Sequence, residues 1–149
     1  MKSKRLSVAL HTLVHLADRP AETRTSEDLA RCAETNPVVI RRTLAGLRDA
    51  GFVRSIAGPG GGWTLARSPD AISLGEVCRA LGERLLQPVD LAPRAGCRVQ
   101  AAATEVLGGF MNDAEALLLE QLDTVSVAAF SAQVYSRPSL SRTAHAHVR

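Results

Sequence analysis

Two adjacent arginines, Arg41 and Arg42, stand in a segment whose periodicity predicts an α-helix with one buried face. Ile40, Leu44 and Leu47 recur at i, i+4 and i+7, which is the spacing of a single apolar stripe. At about 100° per residue, both arginines point away from that stripe. A guanidinium can donate two hydrogen bonds to O6 and N7 of a guanine, so this face is suited to reading the major groove of DNA. The alternatives are phosphate contact without base reading, or a merely solvated helix face.

Further residues could complete such an interface. Val38 and the small Ala45 share the face of the two arginines, and Arg54 lies in the segment that follows. Side chains and amides at helix starts and in glycine turns commonly meet phosphates. The candidate DNA-contacting residues are Lys4, Thr25, Asn36, Val38, Arg41, Arg42, Ala45, Arg54, Gly60 and Gly61.

The three cysteines have different prospects. Cys97 lies between Arg94 and Arg98 where a helix is predicted to begin, and cations with unpaired helix amides favour a reactive thiolate, so Cys97 is the candidate redox sensor. An inert or capping thiol is the alternative. Cys78 falls on an apolar stripe and is expected in the core, and the burial of Cys32 stays open. Three unevenly spaced cysteines do not form a disulfide framework, so we expect the protein to work in a reducing cytoplasm.

Two other motifs suggest chemistry that the chain does not support. His11 and His15 have the i, i+4 spacing of metal ligands, but no further ligand is placed by the sequence, so we expect packing or solvated histidines and no metal. The glycine run Gly58–Gly62 lacks the Lys-Ser/Thr of a phosphate-binding loop. With no catalytic triad or carboxylate pair in evidence, we predict that the protein is not an enzyme.

Capping residues and turn residues predict the elements that position the arginines. A first amphipathic helix is predicted over Lys4–Ala17, and a short second helix starts at a Thr25–Asp28 capping box. The arginine helix is framed by an Asn36-Pro37 start and by Gly51, which fits a left-handed cap. Two apolar runs, 52–56 and 63–66, predict a β-hairpin with a glycine tip. Three helices followed by a hairpin make a winged helix-turn-helix.

The second half of the chain predicts more helix. A capping box at Ser73–Glu76 opens a helix, residues 83–97 form a connecting or sensor loop, and a long helix begins at Arg98. Gly108-Gly109 could bend it or permit a close crossing. Its wide apolar stripe needs a partner, either the first helix or, as we favour, a second subunit. The predicted dimerisation residues are Val99, Val106, Phe110 and Leu117.

The predicted organisation is therefore a mainly α-helical fold with a small β-hairpin wing. We assign residues 1–82 to a DNA-binding domain, residues 98–135 to the dimerisation helix and a C-terminal element, and residues 136–149 to a disordered tail. Charge agrees with this division: residues 1–67 carry 11 Lys/Arg and 6 Asp/Glu, whereas residues 68–149 carry 7 and 9. The apolar run after Arg5 is interrupted by histidines, and no run reaches membrane-spanning length, so we expect neither a signal peptide nor a membrane helix.

These features resemble the Rrf-two (Rrf2) family of bacterial transcription regulators over about residues 1–122. The most specific segments are NPVVIRRTLAGLRDAGFVRSIAGPGGGWTLAR and ISLGEVCRAL. The resemblance implies a dimeric repressor or activator that reads a palindromic site and senses redox state, a cluster or a metabolite. Cluster-bearing members have three cysteines in the loop where Cys97 stands alone, so we expect no iron–sulfur cluster and a cluster-free type. Ala57 replaces a basic wing residue of many members, which implies a weaker minor-groove contact.

Two further functions stay open from the sequence. The connecting loop and the long helix could line a pocket for a small metabolite, with inert cysteines. Alternatively, the chain could be a protein-interaction adaptor that has lost DNA binding, in which case it would show no salt-dependent DNA affinity. We favour a homodimeric transcription regulator, a repressor, modulated by thiol oxidation at Cys97.

Overall fold

The computed structural model describes residues 4–87 and 96–137. Most of these residues form helices joined by short connections, and one antiparallel hairpin lies between the third and fourth helices. A single 3-10 turn, Pro69–Ala71, joins the hairpin to the later helices. In chain order the elements are α1 (Lys4–Asp18), α2 (Ser26–Cys32), α3 (Pro37–Asp49), β1 (Val53–Ile56), β2 (Gly62–Leu65), α4 (Leu74–Leu81), α5 (Arg98–Asp123) and α6 (Val127–Ser136).

The arginine helix α3 is held by caps at both ends. The Asn36 Oδ1 atom accepts a hydrogen bond of 2.8 Å from the Val38 N–H, as a side-chain N-cap does. At the other end Gly51 has φ of 79°, and the Phe52 N–H donates to the Leu47 carbonyl at 2.9 Å. This is a Schellman cap, which turns the chain directly into β1. The predicted frame of α3 is thereby confirmed.

The core lies where α1, α3 and α4 meet beneath the hairpin. The predicted stripe of α3 is fully buried, as are Leu13 and Leu16 of α1. Burial of such side chains from water is the main stabilising term, at about 1.5–3 kcal/mol each. Other members of the same apolar cluster are Ala9, Leu29, Ala30, Phe52, Val53, Leu65, Ile72, Leu74, Val77, Leu81 and Val127.

Helix α5 attaches to this core through its C-terminal end. Asp123 accepts hydrogen bonds from Ser73, at 3.1 Å, and from Arg79 of α4. The two helices approach so closely at Gly75 that a Cβ there would lie 2.1 Å from the Asp123 carboxylate. No residue of α5 is buried in the single chain.

Several sequence predictions need adjustment. The last helix begins at Val127, four residues later than the predicted start, because Ser126 caps it through the Ala129 N–H. That helix runs to Ser136, so the predicted tail cannot start there; residues 138–149 lie outside the described residues, as do most of the predicted loop residues. The Thr25 cap accepts from the Asp28 N–H at 3.1 Å as predicted, but the Asp28 carboxylate accepts from the Thr25 hydroxyl instead of completing a capping box.

Two other predictions concern the glycine pair of α5 and the length of the apolar helices. The helix α5 continues through Gly108 and Gly109 without interruption, and a Cβ at either would meet open space. None of the helices in the described residues combines the length and the hydropathy that a membrane span requires.

Candidate nucleic-acid interface

The exposed face of α3 carries the predicted reading residues. Arg41 and Arg42 are exposed, and Val38 at the start of the helix is 56% exposed although it is apolar. Val39 is also exposed, and sequence reasoning missed it because only Val38 fell on the face opposite the stripe. A methyl-bearing side chain beside arginines is suited to the C5-methyl of thymine and to guanine in one major groove.

The two arginines differ in their surroundings. Arg41 forms an ion pair with Glu27 of α2, and both side chains are more than half exposed. Exposed pairs contribute little to stability, so this one positions the arginine without fixing it. Arg42 has no ion pair within residues 4–87 and 96–137. Sequence reasoning missed the Glu27–Arg41 pair, because pairing across 14 positions is set by how α2 packs on α3.

The two small residues of α3 also face the interior of the protein. Ala45 is half-buried, and a Cβ at Gly46 would lie 3.1 Å from the Arg5 guanidinium of α1. The same Arg5 guanidinium donates to the Leu81 carbonyl at 3.3 Å. Gly46 therefore allows α1 to cross α3 closely, in addition to any approach to DNA.

The hairpin is anchored to the start of α2. Trp63 exchanges two backbone hydrogen bonds with Arg24, at 2.8 and 3.0 Å, and its Nε1–H donates to Ser26 at 3.0 Å. The Gly60 carbonyl accepts from the Thr23 hydroxyl at 2.8 Å. A wing held at its base and tip in this way keeps a fixed position relative to α3.

The tip of the wing depends on glycine. Gly60 has φ of 73° and is exposed, and a Cβ at Gly61 would lie 2.2 Å from the Ile56 carbonyl oxygen. Arg54 extends from β1 and is exposed. The remaining candidates, Lys4, Thr25 and Asn36, are all exposed, and the last two are occupied in capping α2 and α3.

The cysteines separate by burial. Cys78 is buried, and burial raises the pKa of its thiol, so it is a core residue as expected. Cys32 and Cys97 are exposed. Cys97 occupies the N-cap position of α5, where its side chain makes no capping hydrogen bond. Within the described part of the chain, no group of three or more His, Cys, Asp or Glu is placed to hold a metal ion.

The two histidines of α1 are half-buried and lie against each other. Their Nε2 atoms are 3.1 Å apart, and both side chains face α6 beside a cavity. Burial, followed by the charge of His15, lowers the pKa of His11. Sequence reasoning missed the contact with α6, because only the tertiary fold brings α6 back over α1.

Three helices with a tight turn before α3, followed by an anchored two-stranded wing, define a winged helix-turn-helix protein. Residues 2–133 match the Rrf2 family, described as "Iron-dependent Transcriptional regulator". The chain belongs to this family of transcription regulators, and it is therefore a DNA-binding regulator and not an enzyme.

Known proteins agree with this assignment. The chain is 28% identical to a putative HTH-type transcriptional regulator, rrf2-like, from Rhodobacter capsulatus, across 82% of this chain and 91% of that protein. It is 36% identical to the regulator CymR of Bacillus subtilis, but over only 55% of this chain and 59% of CymR.

Solved structures share the fold. CymR, described as the global cysteine regulator of B. subtilis, superimposes with a TM-score of 0.63 at 22% identity, over 89% of this chain and 96% of that one. IscR of T. potens superimposes with a TM-score of 0.64 at 19% identity, over 95% and 93%.

The family description names iron, and the cysteines present do not fit an iron–sulfur cluster. Cys32, Cys78 and Cys97 lie in α2, in α4 and before α5, and Cys78 is buried in the core. An iron–sulfur cluster needs several thiolates converging on one point. Three cysteines placed in this way do not supply such a convergence.

Proposed function

We propose that this protein is a homodimeric, sequence-specific DNA-binding regulator that reads a palindromic operator and represses the genes beside it. The observation that carries the proposal is the combination of two exposed faces. The face of α3 carries arginines and valines beside an anchored wing, and α5 presents an apolar face that residues 4–87 and 96–137 leave uncovered.

The uncovered face of α5 supports a dimer. Val99 is 79% exposed, Phe110 is 67% exposed and Leu117 is 63% exposed, and these residues recur along one side of a single helix. Removing apolar area from water contributes about 25 cal/mol per Å², and a second copy of α5 supplies a matching surface. A two-fold interface uses the same patch on both subunits, as a helix pairing with its own copy does.

A two-fold dimer explains why a palindromic operator is expected. Two copies of α3 would enter successive major grooves, about 34 Å apart, so each half-site would repeat in inverted order. Within a half-site, Arg42 and Arg41 would read bases, and Lys4, Thr25, Asn36 and the wing residues would meet phosphates. Occupying promoter DNA in this way favours repression, which a reporter fused to the bound promoter would test.

The experiment that tests the interface compares two arginine variants. Genomic fragments are selected with the wild-type protein, and the bound site is mapped by footprinting. The Arg42→Ala variant should lose about 1–3 kcal/mol of discrimination between the selected site and a scrambled one. Arg137→Ala, which removes an exposed arginine at the end of α6, is the matched control and should bind like wild type. Equal discrimination by both variants would remove Arg42 from the reading face.

We further propose that thiol oxidation at Cys97 modulates DNA binding. Cys97 is exposed and lies at the first turn of α5, so a change there acts directly on the dimerisation helix. Staphylococcus aureus CymR, a structural neighbour at 22% identity, has been solved in an oxidized form. Peroxide should change operator affinity in the wild type and leave Cys97→Ser unchanged. An identical response of the two proteins would make Cys97 a structural residue.

A further inference from the structure

A cavity lies between α1 and α6, on the side of α1 away from the core. Its volume is about 320 Å³, and apolar side chains including Val14, Phe130 and Val134 line most of it. A protein cavity of about 150 Å³ holds benzene, so this space suits a ligand with about two fused rings. The polar part of its lining consists of Ser7, His11, His15 and Tyr135.

The histidine pair gives this polar lining a specific chemistry. The two Nε2 atoms are 3.1 Å apart, so a single proton lies between them when both rings are neutral. The pair can accept one further proton on an outer nitrogen and keep this hydrogen bond. It would then carry one positive charge at the edge of an apolar space, where a carboxylate is the fitting partner.

Other charged groups near the pair are engaged with their own neighbours. Asp18 accepts a hydrogen bond from the Tyr135 hydroxyl, and Asp28 pairs with Arg31 and accepts from Thr25. His11 also hydrogen-bonds to the backbone of Cys32. Arg24, Asp28 and Cys32 lie beside His15, and Tyr135 lies near Asp18, Arg19 and Arg24.

We propose that this cavity binds a small aromatic monocarboxylate, whose ring system lies against Phe130 and Val134 and whose carboxylate pairs with the protonated His11–His15 pair. The carboxylate enters as an anion and the histidine pair takes one proton from solvent, so charge and protons balance. Ligand binding would therefore consume one proton per site.

The position of the cavity links it to DNA binding. Helix α1 contacts α3 through Arg5 and Gly46, whereas α6 follows α5 after a connection of only three residues. A ligand between α1 and α6 thus lies between the proposed reading unit and the proposed dimerisation helix. Because two recognition helices must keep a fixed spacing on DNA, a small shift across this cavity changes operator affinity. This coupling rests on the proposed function, but ligand binding itself does not.

The first test measures binding of 1-naphthoate to the full chain by calorimetry, without DNA, in two buffers of different ionisation enthalpy. We expect saturable binding with uptake of one proton, and affinity that rises up to about tenfold per unit decrease in pH near neutrality. The neutral analogue 1-naphthalenemethanol should bind more weakly and without proton uptake. Equal binding of the two compounds would overturn the proposal. Binding of neither would also overturn it, and this is the result expected if a second copy of the chain covers the cavity.

Variants locate the site. His15→Gln should weaken naphthoate binding about tenfold or more, because the charged hydrogen bond of the pair is lost. Combining it with His11→Gln should also abolish proton uptake, because no imidazole is then left at the site. Val134→Trp should fill the cavity and abolish binding, whereas Gln133→Trp adds the same bulk at an exposed neighbouring position of α6 and should bind like wild type. If Val134→Trp does not fold, His15→Gln decides the outcome. Unchanged binding by His15→Gln would overturn the proposed site.

The second test adds the selected operator. Naphthoate should shift the operator affinity of the wild type and leave that of His15→Gln unchanged. Naphthoate binding with no shift in operator affinity would overturn the coupling alone. If the protein bound no specific DNA at all, the proposed function would fail, and the calorimetric result would still stand.

Discussion

The winged half of the chain and the long helix α5 differ in how much of their apolar surface is buried. In the winged half, the apolar stripe of α3 is fully buried by α1, α4 and the hairpin. On α5 a comparable stripe remains exposed along most of the helix. The first unit buries its apolar stripe through contacts within one chain, whereas α5 keeps an apolar surface of the kind that marks an interaction site. This difference indicates where a second subunit would join.

The largest expected effect tests the exposed side of that comparison. Phe110→Glu places a charge in the middle of the α5 face and should give a monomer by analytical ultracentrifugation. Because two linked reading heads bind far more tightly than one, operator affinity should fall about a hundredfold or more. Ala101→Glu adds the same charge on the opposite side of α5 and is the matched control. A dimeric Phe110→Glu protein would place the interface elsewhere.

Next in size is a change on the buried side. Leu44→Ala removes a fully buried side chain beneath the reading face and should lower the free energy of unfolding by about 2–5 kcal/mol. Urea denaturation measures this loss in the Phe110→Glu variant, so that the free energy of dimerisation does not contribute. Leu117→Ala in the same background should change stability by less than about 0.5 kcal/mol, because that side chain is exposed in the monomer. Equal losses would mean that α5 packs within its own chain.

A smaller effect is expected at the start of the arginine helix. Asn36→Ala removes the side-chain acceptor of the Val38 N–H and should cost about 1 kcal/mol in thermal or chemical unfolding. Asn36→Asp keeps an acceptor and places a negative charge at the helix N-terminus, so it should retain the stability. In DNA binding, however, the added charge would repel phosphate. A stability loss in both variants would contradict the capping role.

The smallest effect concerns pH. His11 has a pKa below its usual 6.5 in the folded protein, mainly because of burial. The unfolded chain therefore binds more protons between the two pKa values, so stability should fall as the pH is lowered through 6.5 and level off below the folded pKa. The melting temperature measured from pH 7.5 to 5.5 should show this decline, and His11→Gln should reduce it. The lowered pKa values of Glu76 and Glu115 act only at lower pH, below their usual 4.5.

Much of the frame could be predicted because it depends on neighbouring residues. The Asn36 cap, the Gly51 cap and the Ser73–Glu76 capping box each satisfy backbone groups within a few positions, so the residue types reveal them. The stripe of α3 and the exposed stripe of α5 are likewise readable from helical periodicity alone. Family membership follows from the same local features.

Other features depended on contacts between distant parts of the chain. The Glu27–Arg41 pair, the Trp63–Ser26 anchor of the wing and the crossing of Arg5 over Gly46 each join residues far apart in sequence. The i, i+4 spacing of His11 and His15 was visible, but the sequence could not show that α6 would cover them and leave a cavity. Hydrogen bonding and periodicity are local, so the sequence alone predicted the helices, most of their caps and their apolar faces. Which of these faces are covered could be seen only in the folded chain, because burial depends on how the elements pack.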